Sequence, residues 1–323
     1  MNYWLVCCLV VLFGSCKETA KVDPVPEVVT ESAPNISEVS LVVLGTIQDA
    51  GSPHIACKKA CCTSLFTTPN PDRKVVSLGV VDSQFNKSYL FEATPDMTTQ
   101  VKVLKEFSNS TNELPDGIFL THAHIGHYTG LMYLGKEATN AQNVPIFAMP
   151  KMKTFLETNG PWSQLVENDN ILIRSLQNQK EFALTPNLKV IPLQVPHRDE
   201  FSETVGYKII GPNKTALFIP DIDKWEKWKL DISEVIAQVD YAFLDATFYD
   251  GEELNTRDIS EIPHPFIIES MEKFDALSDS EKKKIYFIHF NHTNPVIDPN
   301  SNASQTVVKN GFNIATVHTV LTL

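Results

Sequence analysis

From Ser40 onward, short runs of β-branched residues alternate with segments of helical periodicity, and no tandem repeat is present. This alternation predicts a single α/β domain, because strands and helices that alternate along a chain pack as layers around one core. The predicted strands are Leu41–Thr46, Val75–Val81, Ser88–Glu92, Gly117–Thr121, Val144–Ala148, Lys189–Leu193, Val205–Ile210, Ala216–Pro220, Tyr241–Asp245 and Lys284–His289. The predicted helices are Thr98–Phe107, Gly130–Ala138, Met149–Asn159, Ile232–Val239, Pro265–Phe274 and Ser304–Lys309. Nearly all histidines and many acids directly follow a strand, where α/β proteins carry their chemistry.

Three histidines, His122, His124 and His127, lie within six residues after the apolar strand at 117–120. Neutral imidazole is the commonest zinc ligand, and two histidines two positions apart in an extended loop can face one ion at ~2.0–2.1 Å. A solvated polar loop is the alternative interpretation. A cluster this tight at the end of a strand favours a metal site.

The segment at 121–127 resembles the metallo-β-lactamase family, whose signature after a strand is His-x-His-x-Asp-His. Later strands end in the family's further ligand types, in the family's order, at His197, Asp221 and His289. The resemblance implies an αββα sandwich of four layers with two mixed sheets, and hydrolysis by a metal-activated water. It implies His122, His124 and His197 as ligands of a first ion, and His127 and His289 as ligands of a second, with Asp221 bridging.

Gly126 stands where the family signature has its aspartate. The missing carboxylate would have supplied both a ligand and negative charge against the second cation, so we expect a second ion to bind weakly. The first position is expected to fill, because three imidazoles plus Asp221 or water complete a tetrahedron. Zinc is the expected metal, with iron or manganese as alternatives.

Asp245, in the segment 243–248, and His264, between two prolines, resemble the paired acid and histidine of phosphodiesterase-type members, including the tRNA-processing enzymes. The resemblance implies that His264 protonates the leaving group while Asp245 orients it. A carboxylate that accepts from one imidazole nitrogen fixes the tautomer and leaves the other nitrogen as an acid. Asp221 would position the attacking water. We therefore favour a phosphodiester over a β-lactam or thioester, although Asp245 as a turn cap and His264 as a surface residue remain alternatives.

The cysteines after the first strand, Cys57, Cys61 and Cys62, form a tight cluster of odd number, which favours a metal over a disulfide framework. The cluster resembles the structural-zinc loop of the coenzyme PQQ biosynthesis protein B family and of the cyclic phosphodiesterase of phosphonate catabolism. In the latter, a histidine three positions after the last active-site histidine is the fourth ligand, which implies His292 here. The sequence leaves two alternatives open: His54 as the fourth ligand, and three buried reduced thiols.

The resemblance to the PQQ protein extends to the segments 245–248 and 291–295. That family lacks the first histidines of the signature and keeps its aspartate, whereas this chain keeps His122 and His124 and has Gly126. The resemblance therefore implies shared fold and descent rather than a role in PQQ assembly. Two rival functions remain: a cofactor or redox protein like PQQ biosynthesis protein B, and a metal-binding lipoprotein without catalysis.

The apolar run Trp4–Phe13 is too short to cross a membrane and is typical of a signal-peptide core. Small residues then precede Cys16, as in the lipobox of bacterial lipoproteins, although no Lys or Arg precedes the run. A buried strand or a plain secretory signal is the alternative. We predict a lipoprotein signal peptide over residues 1–16 with Cys16 lipidated, a disordered tether over 17–39, and the catalytic domain over 40–323.

These segments predict a bacterial envelope protein, periplasmic or on the outer membrane, that contacts the membrane through its lipid anchor. The formal net charge is −12, from 27 basic and 39 acidic residues. Such a charge disfavours bulk binding of nucleic acid, whose phosphate backbone attracts basic proteins. The expected partner is therefore a small ester, with a phosphodiester favoured.

Overall fold

The computed structural model describes residues 38–254 and 262–323, and within these residues the strands form two mixed sheets of seven. The first sheet has the order β14-β1-β2-β3-β4-β5-β6, and the second has the order β13-β12-β11-β10-β9-β8-β7. The first sheet comprises β1 (Val39–Gly45), β2 (Ser77–Asp82), β3 (Lys87–Phe91), β4 (Gly117–Phe119), β5 (Val144–Ala148), β6 (Ile171–Ser175) and β14 (Val320–Thr322). The second comprises β7 (Phe182–Ala183), β8 (Lys189–Gln194), β9 (Val205–Ile210), β10 (Thr215–Ile219), β11 (Tyr241–Asp245), β12 (Ile285–Ile288) and β13 (Asn313–Ile314).

Each sheet has an antiparallel part and a parallel part. Strands β3 to β6 are parallel to one another, as are β10 to β13, whereas β1, β2, β8 and β9 pair antiparallel with their neighbours. Parallel strands end at the same edge of a sheet. The loops that follow the parallel strands therefore meet at one edge, which positions the candidate site.

Helices cover the outer faces of the sheets. The described helices are α1 (Ala60–Thr63), α2 (Met97–Glu106), α3 (Ile125–Tyr128), α4 (Pro150–Thr158), α5 (Trp162–Glu167), α6 (Ile232–Ala237), α7 (Ile267–Lys273), α8 (Asp279–Lys282) and α9 (Asn302–Lys309). Of these, α2, α4 and α5 pack on the first sheet, and α6, α7 and α9 pack on the second. Helix α9 begins where Ser301 accepts a hydrogen bond from the amide of Ser304, and α6 begins in the same way at Asp231. Among the described residues, no helix is long and apolar enough to cross a membrane.

Apolar residues fill three layers, between the two sheets and on the outer face of each. In the central layer, the ring of Phe119 stacks between Phe91 and Phe147, with centroid distances of 4.6 and 4.3 Å. Such aromatic pairs contribute ~0.5–1.5 kcal/mol beyond the burial of their area. This packing confirms the predicted αββα sandwich, and it holds β4, the strand that leads into the histidine cluster.

All ten predicted strands are present, each within two residues of its predicted bounds. The sequence prediction missed four strands, because β6 is largely exposed and β7, β13 and β14 have only two or three residues. The predicted helix Gly130–Ala138 was wrong in type: its first half belongs to a 3₁₀ helix over Thr129–Leu134, which follows α3, and its second half is not helical. Strand β1 begins one residue before the predicted domain boundary. The predictions for residues 1–37 lie outside the described residues.

Candidate metal centre

Loops that follow β4, β8, β10 and β12 bring the predicted ligands together. His122 and His124 follow β4, His197 follows β8, Asp221 follows β10, and His289 follows β12. The ligand atoms of His122, His124, His197 and Asp221 all lie within 4.8 Å of one another. The residues predicted to bind the first ion therefore lie together in the folded chain.

The carboxylate of Asp221 lies at the centre of the histidine group. Asp221 Oδ1 is 3.3 Å from His197 Nε2, and Oδ2 is 3.4 Å from His122 Nε2 and 3.7 Å from His127 Nε2. The Nε2 atoms of His122, His197 and His289 are buried and have no hydrogen-bond partner within the described residues. Buried imidazole nitrogens without partners are costly unless a cation or proton satisfies them, so this donor set fits a zinc ion.

The second nitrogen of each ligand ring is held by a polar neighbour. His122 Nδ1 lies 2.8 Å from Thr121 Oγ1, and His197 Nδ1 lies 3.2 Å from Asp223 Oδ1. Neighbours of this kind fix the tautomer and the ring orientation of metal-binding histidines. Both Nε2 atoms are thereby left to face the same point beside Asp221.

Burial keeps the first histidines neutral. It lowers the pKa of His122 well below the ordinary value, with a smaller contribution from His127, and it lowers the pKa of His124 to about 4. Burial raises the pKa of Asp221, but the neighbouring His264 and His197 outweigh it and hold that pKa well below its usual range. At neutral pH His122 and His124 are therefore neutral and Asp221 is a carboxylate, the forms that bind metal ions.

A second group forms on the other side of Asp221. Ligand atoms of His127, His289 and Asp49 lie within 4.8 Å of one another. His289 Nδ1 lies 2.9 Å from Thr247 Oγ1, and that hydroxyl donates to Asp245 Oδ1 at 2.7 Å. Because that hydroxyl donates to Asp245, it accepts the hydrogen bond from His289 Nδ1, and His289 Nε2 is the ring nitrogen left to face a metal ion.

Glu92 is buried directly behind His127. Its Oε2 lies 3.5 Å from His127 Nδ1, and neither carboxylate oxygen has a hydrogen-bond partner within the described residues. Burial lowers the pKa of His127, but the charge of Glu92 outweighs it and raises that pKa to about 9. The backbone of Glu92 is left-handed, with φ of 81°, a strained conformation of the kind that clusters at functional sites.

His264 and Asp245 form the pair that the sequence predicted. His264 Nδ1 lies 2.8 Å from Asp245 Oδ2 and 3.1 Å from Asp221 Oδ1. Burial lowers the pKa of His264, but the two carboxylates outweigh it and raise that pKa well above the ordinary value. The side chain of His264 is only 14% exposed, so the alternative of a surface histidine is wrong. Asp245 also accepts hydrogen bonds from the amides of Ile222 and Thr247, which fix its position.

The cysteines and His292 form a separate group. His292 Nδ1 lies 3.8, 3.5 and 3.3 Å from the Sγ atoms of Cys57, Cys61 and Cys62. A tetrahedral zinc with ~2.3 Å bonds to sulfur and ~2.0 Å to nitrogen requires ligand separations of about 3.6 Å. The Nδ1 atom of His54 instead lies 3.0 Å from the carbonyl of Ile55, so the geometry favours His292 as the fourth ligand.

Sequence reasoning missed Asp49 and Glu92 in the main site. Both follow strands of the first sheet by a few residues, β1 and β3, so the rule that located the histidines also applied to them. Glu92 was instead assigned to the end of its strand. Asp49 was overlooked because its proximity to His127 depends on how the β1 loop crosses the edge of the sheet.

Comparison with known proteins agrees with this geometry. Residues 87–290, more than half of the chain, match the family model described as Beta-lactamase superfamily domain. Coenzyme PQQ synthesis protein B from Gluconobacter oxydans is 22% identical over 302 residues, which cover 86% of this chain and 96% of that protein.

Two solved structures share the fold. Zn(2+)-bound PqqB from Methylobacterium extorquens has a TM-score of 0.73 at 20% identity, covering 88% of this chain and 100% of that one. A diphosphatase from the PhnP family has a TM-score of 0.60 at 23% identity, covering 88% and 96%. Together with the matched family model, the two sheets and the histidines at their edge show that this chain belongs to the β-lactamase superfamily domain family.

Proposed function

We propose that the protein is a zinc-dependent hydrolase that cleaves a phosphodiester. The proposal rests on the contacts of His264 with Asp245 and Asp221. These contacts place a proton donor beside Asp221, the carboxylate at the centre of the metal ligands. His122, His124 and His197 would hold the first ion together with Asp221. A bound zinc ion supplies Lewis acidity and lowers the pKa of water toward ~7.

Hydrolysis requires that a water oxygen bond to phosphorus, that the bond from phosphorus to the leaving oxygen break, and that a proton reach that oxygen. Asp221 accepts a hydrogen bond from the attacking water and orients it. His264 donates the proton from Nε2, because its Nδ1 is held by Asp245. A general acid of this kind contributes typically 10²–10⁴-fold to the rate.

Two exposed apolar residues near the site favour a small diester with an apolar group as the substrate. Ile125 is 69% exposed directly after His124, and Phe201 is 64% exposed between Glu200, which lies 4.0 Å from His124, and Ser202, which accepts from the amide of Ala123. These two side chains would contact an apolar substituent of the ester. The net charge of −12 disfavours a long polyanion.

The proposal also includes a structural zinc site and a lipid anchor. The group of Cys57, Cys61, Cys62 and His292 would bind a structural zinc that stabilises the fold without taking part in catalysis. Lipidated Cys16 would anchor the protein to a membrane of the bacterial envelope, so that the domain acts on small esters outside the cytoplasm. The first of these rests on the interatomic distances, and the second rests on the sequence of residues 1–16.

The test is a panel of substrates offered to the zinc-loaded protein. We expect release of nitrophenol from bis(p-nitrophenyl) phosphate, with much slower cleavage of p-nitrophenyl phosphate and of a chromogenic β-lactam. A preference for the β-lactam would replace the phosphodiester assignment. Failure to cleave any ester, with the metal site filled, would favour the rival without catalysis.

A second candidate function is that of a cofactor or redox protein like PQQ synthesis protein B, which aligns with 86% of this chain. Zinc alone does not separate the two functions, because the PqqB of known structure is itself Zn(2+)-bound. The substrate panel distinguishes them, because the hydrolase is expected to cleave the diester and a cofactor or redox protein is not.

A further inference from the structure

We propose that Asp49, from the loop after β1, supplies the carboxylate of the second metal position, in place of the aspartate that Gly126 replaces in the family signature. The second metal position then has a carboxylate ligand of its own. The second ion therefore binds more tightly than the loss of the signature aspartate at Gly126 would predict. This inference deepens the proposed function, on which it rests for its role in catalysis.

The first observation is a steric one. A Cβ atom placed on Gly126 would lie 1.9 Å from Asp49 Cβ and 2.3 Å from Asp49 Cα. Contacts this short are impossible, so Asp49 occupies the space that any side chain at 126 would need. A side chain at position 126 therefore cannot coexist with Asp49 in its present place. The β1 loop can lie here because residue 126 has no side chain.

The second observation is that the β1 loop is fixed against the strand that carries a ligand. The amide of Gln48 donates to the carbonyl of Phe290 at 2.8 Å, and the amide of Phe290 donates to the carbonyl of Thr46 at 2.8 Å. Phe290 is the residue after His289. The backbone hydrogen bonds that position His289 therefore position Asp49 as well, which is what a metal ligand requires.

The third observation concerns charge. Two dications close together need negative charge, and Asp49 adds a carboxylate to that of Asp221. Glu92 adds a further buried carboxylate at His127 Nδ1, which orients His127 Nε2 toward Asp221. In this role Glu92 positions a ligand, whereas Asp49 contacts the metal. The ligands of the second position would be Asp49, His127, His289 and Asp221.

The experiment measures zinc per chain at defined free zinc in the wild type and in Asp49→Asn, which keeps the shape and removes the charge. We expect one zinc fewer per chain in the variant, or affinity at least about tenfold weaker for that ion, while the other ions stay bound. Asp72→Asn, which changes an exposed aspartate that pairs with His318, is the matched control and should keep the full count. An unchanged count and affinity in Asp49→Asn would overturn the inference.

A reciprocal exchange makes the test sharper. Gly126→Asp alone should disturb the fold or displace the β1 loop and should not increase the zinc count. The double variant Asp49→Gly with Gly126→Asp should not regain the ion that Asp49→Gly alone loses, because a Cβ atom at 126 would still lie 2.3 Å from the backbone Cα of residue 49. An increased count in Gly126→Asp alone, with Asp49 unchanged, would contradict the proposed exclusion.

These measurements count metal without an assay of activity, so the two proposals fail separately. If Asp49→Asn loses an ion while the wild type cleaves no ester, the ligand assignment stands and the hydrolase fails. If the wild type cleaves the diester while Asp49→Asn keeps all its zinc, the hydrolase stands and the ligand assignment fails.

Discussion

Asp245 and His264 are 19 residues apart in the chain, yet Asp245 Oδ2 lies 2.8 Å from His264 Nδ1. Asp245 is fully buried at the end of β11, and the amides of Ile222 and Thr247 also hold it. The histidine is therefore fixed by a rigid element rather than by its own loop. A fixed donor beside the metal ligands is the arrangement that general acid catalysis requires.

We expect His264→Asn to lower kcat for the diester by ~10²–10⁴-fold with little change in KM, because the variant loses the proton donor and keeps the metal ligands. Its zinc content should equal that of the wild type. His318→Asn, which removes an exposed histidine, is the control and should be fully active. A normal kcat in His264→Asn would eliminate His264 as the acid.

We expect Cys61→Ser to lose about one zinc per chain and to lower the melting temperature, because a closed zinc site contributes directly to folding. Activity should fall only in proportion to the folded fraction. His54→Asn is the matched control and should retain both zinc and stability, since His54 lies outside the ligand group. Full zinc content in Cys61→Ser would show that Cys61 is not a zinc ligand.

We expect the two active-site positions to lose metal at different pH values. The pKa of His127 is about 9 without metal, so protons compete with the second ion throughout the neutral range, and its affinity should rise with pH up to about 9. The pKa of His124 is about 4, so protons compete with the first ion only near that value. Metal content measured after equilibration between pH 8 and pH 5 should fall first at the second position. Simultaneous loss of both ions would contradict these pKa shifts.

We expect Cys16→Ser to move the protein from the membrane fraction to the soluble fraction and to abolish incorporation of labelled fatty acid, because the variant lacks the acylated thiol. Cys8→Ser, within the predicted signal peptide, should stay anchored and labelled. A wild type that takes up no label would remove the lipid anchor from the account.

The sequence was most informative where regular strands end in chemically distinctive residues. Histidines after β4, β8 and β12, the acid after β10 and the acid at the end of β11 were all predicted, because buried β-branched runs mark strands and polar ends mark functional loops. It was least informative about contacts between loops from different strands. The proximity of Asp49 to Gly126 depends on the path of the β1 loop along residue 290, and no local pattern encodes that path. The short edge strands β7, β13 and β14 were missed because pairing, rather than propensity, determines them.

The most direct test of the account is a zinc titration of protein stripped of its active-site metal, with hydrolysis of bis(p-nitrophenyl) phosphate measured at each step. We expect activity to rise with zinc and to saturate in the wild type. His124→Ala, which loses a ligand of the first position, should bind less zinc and remain inactive at saturation. Full activity without active-site zinc, or equal activity and zinc content in His124→Ala, would contradict a metal-dependent hydrolase built on these histidines.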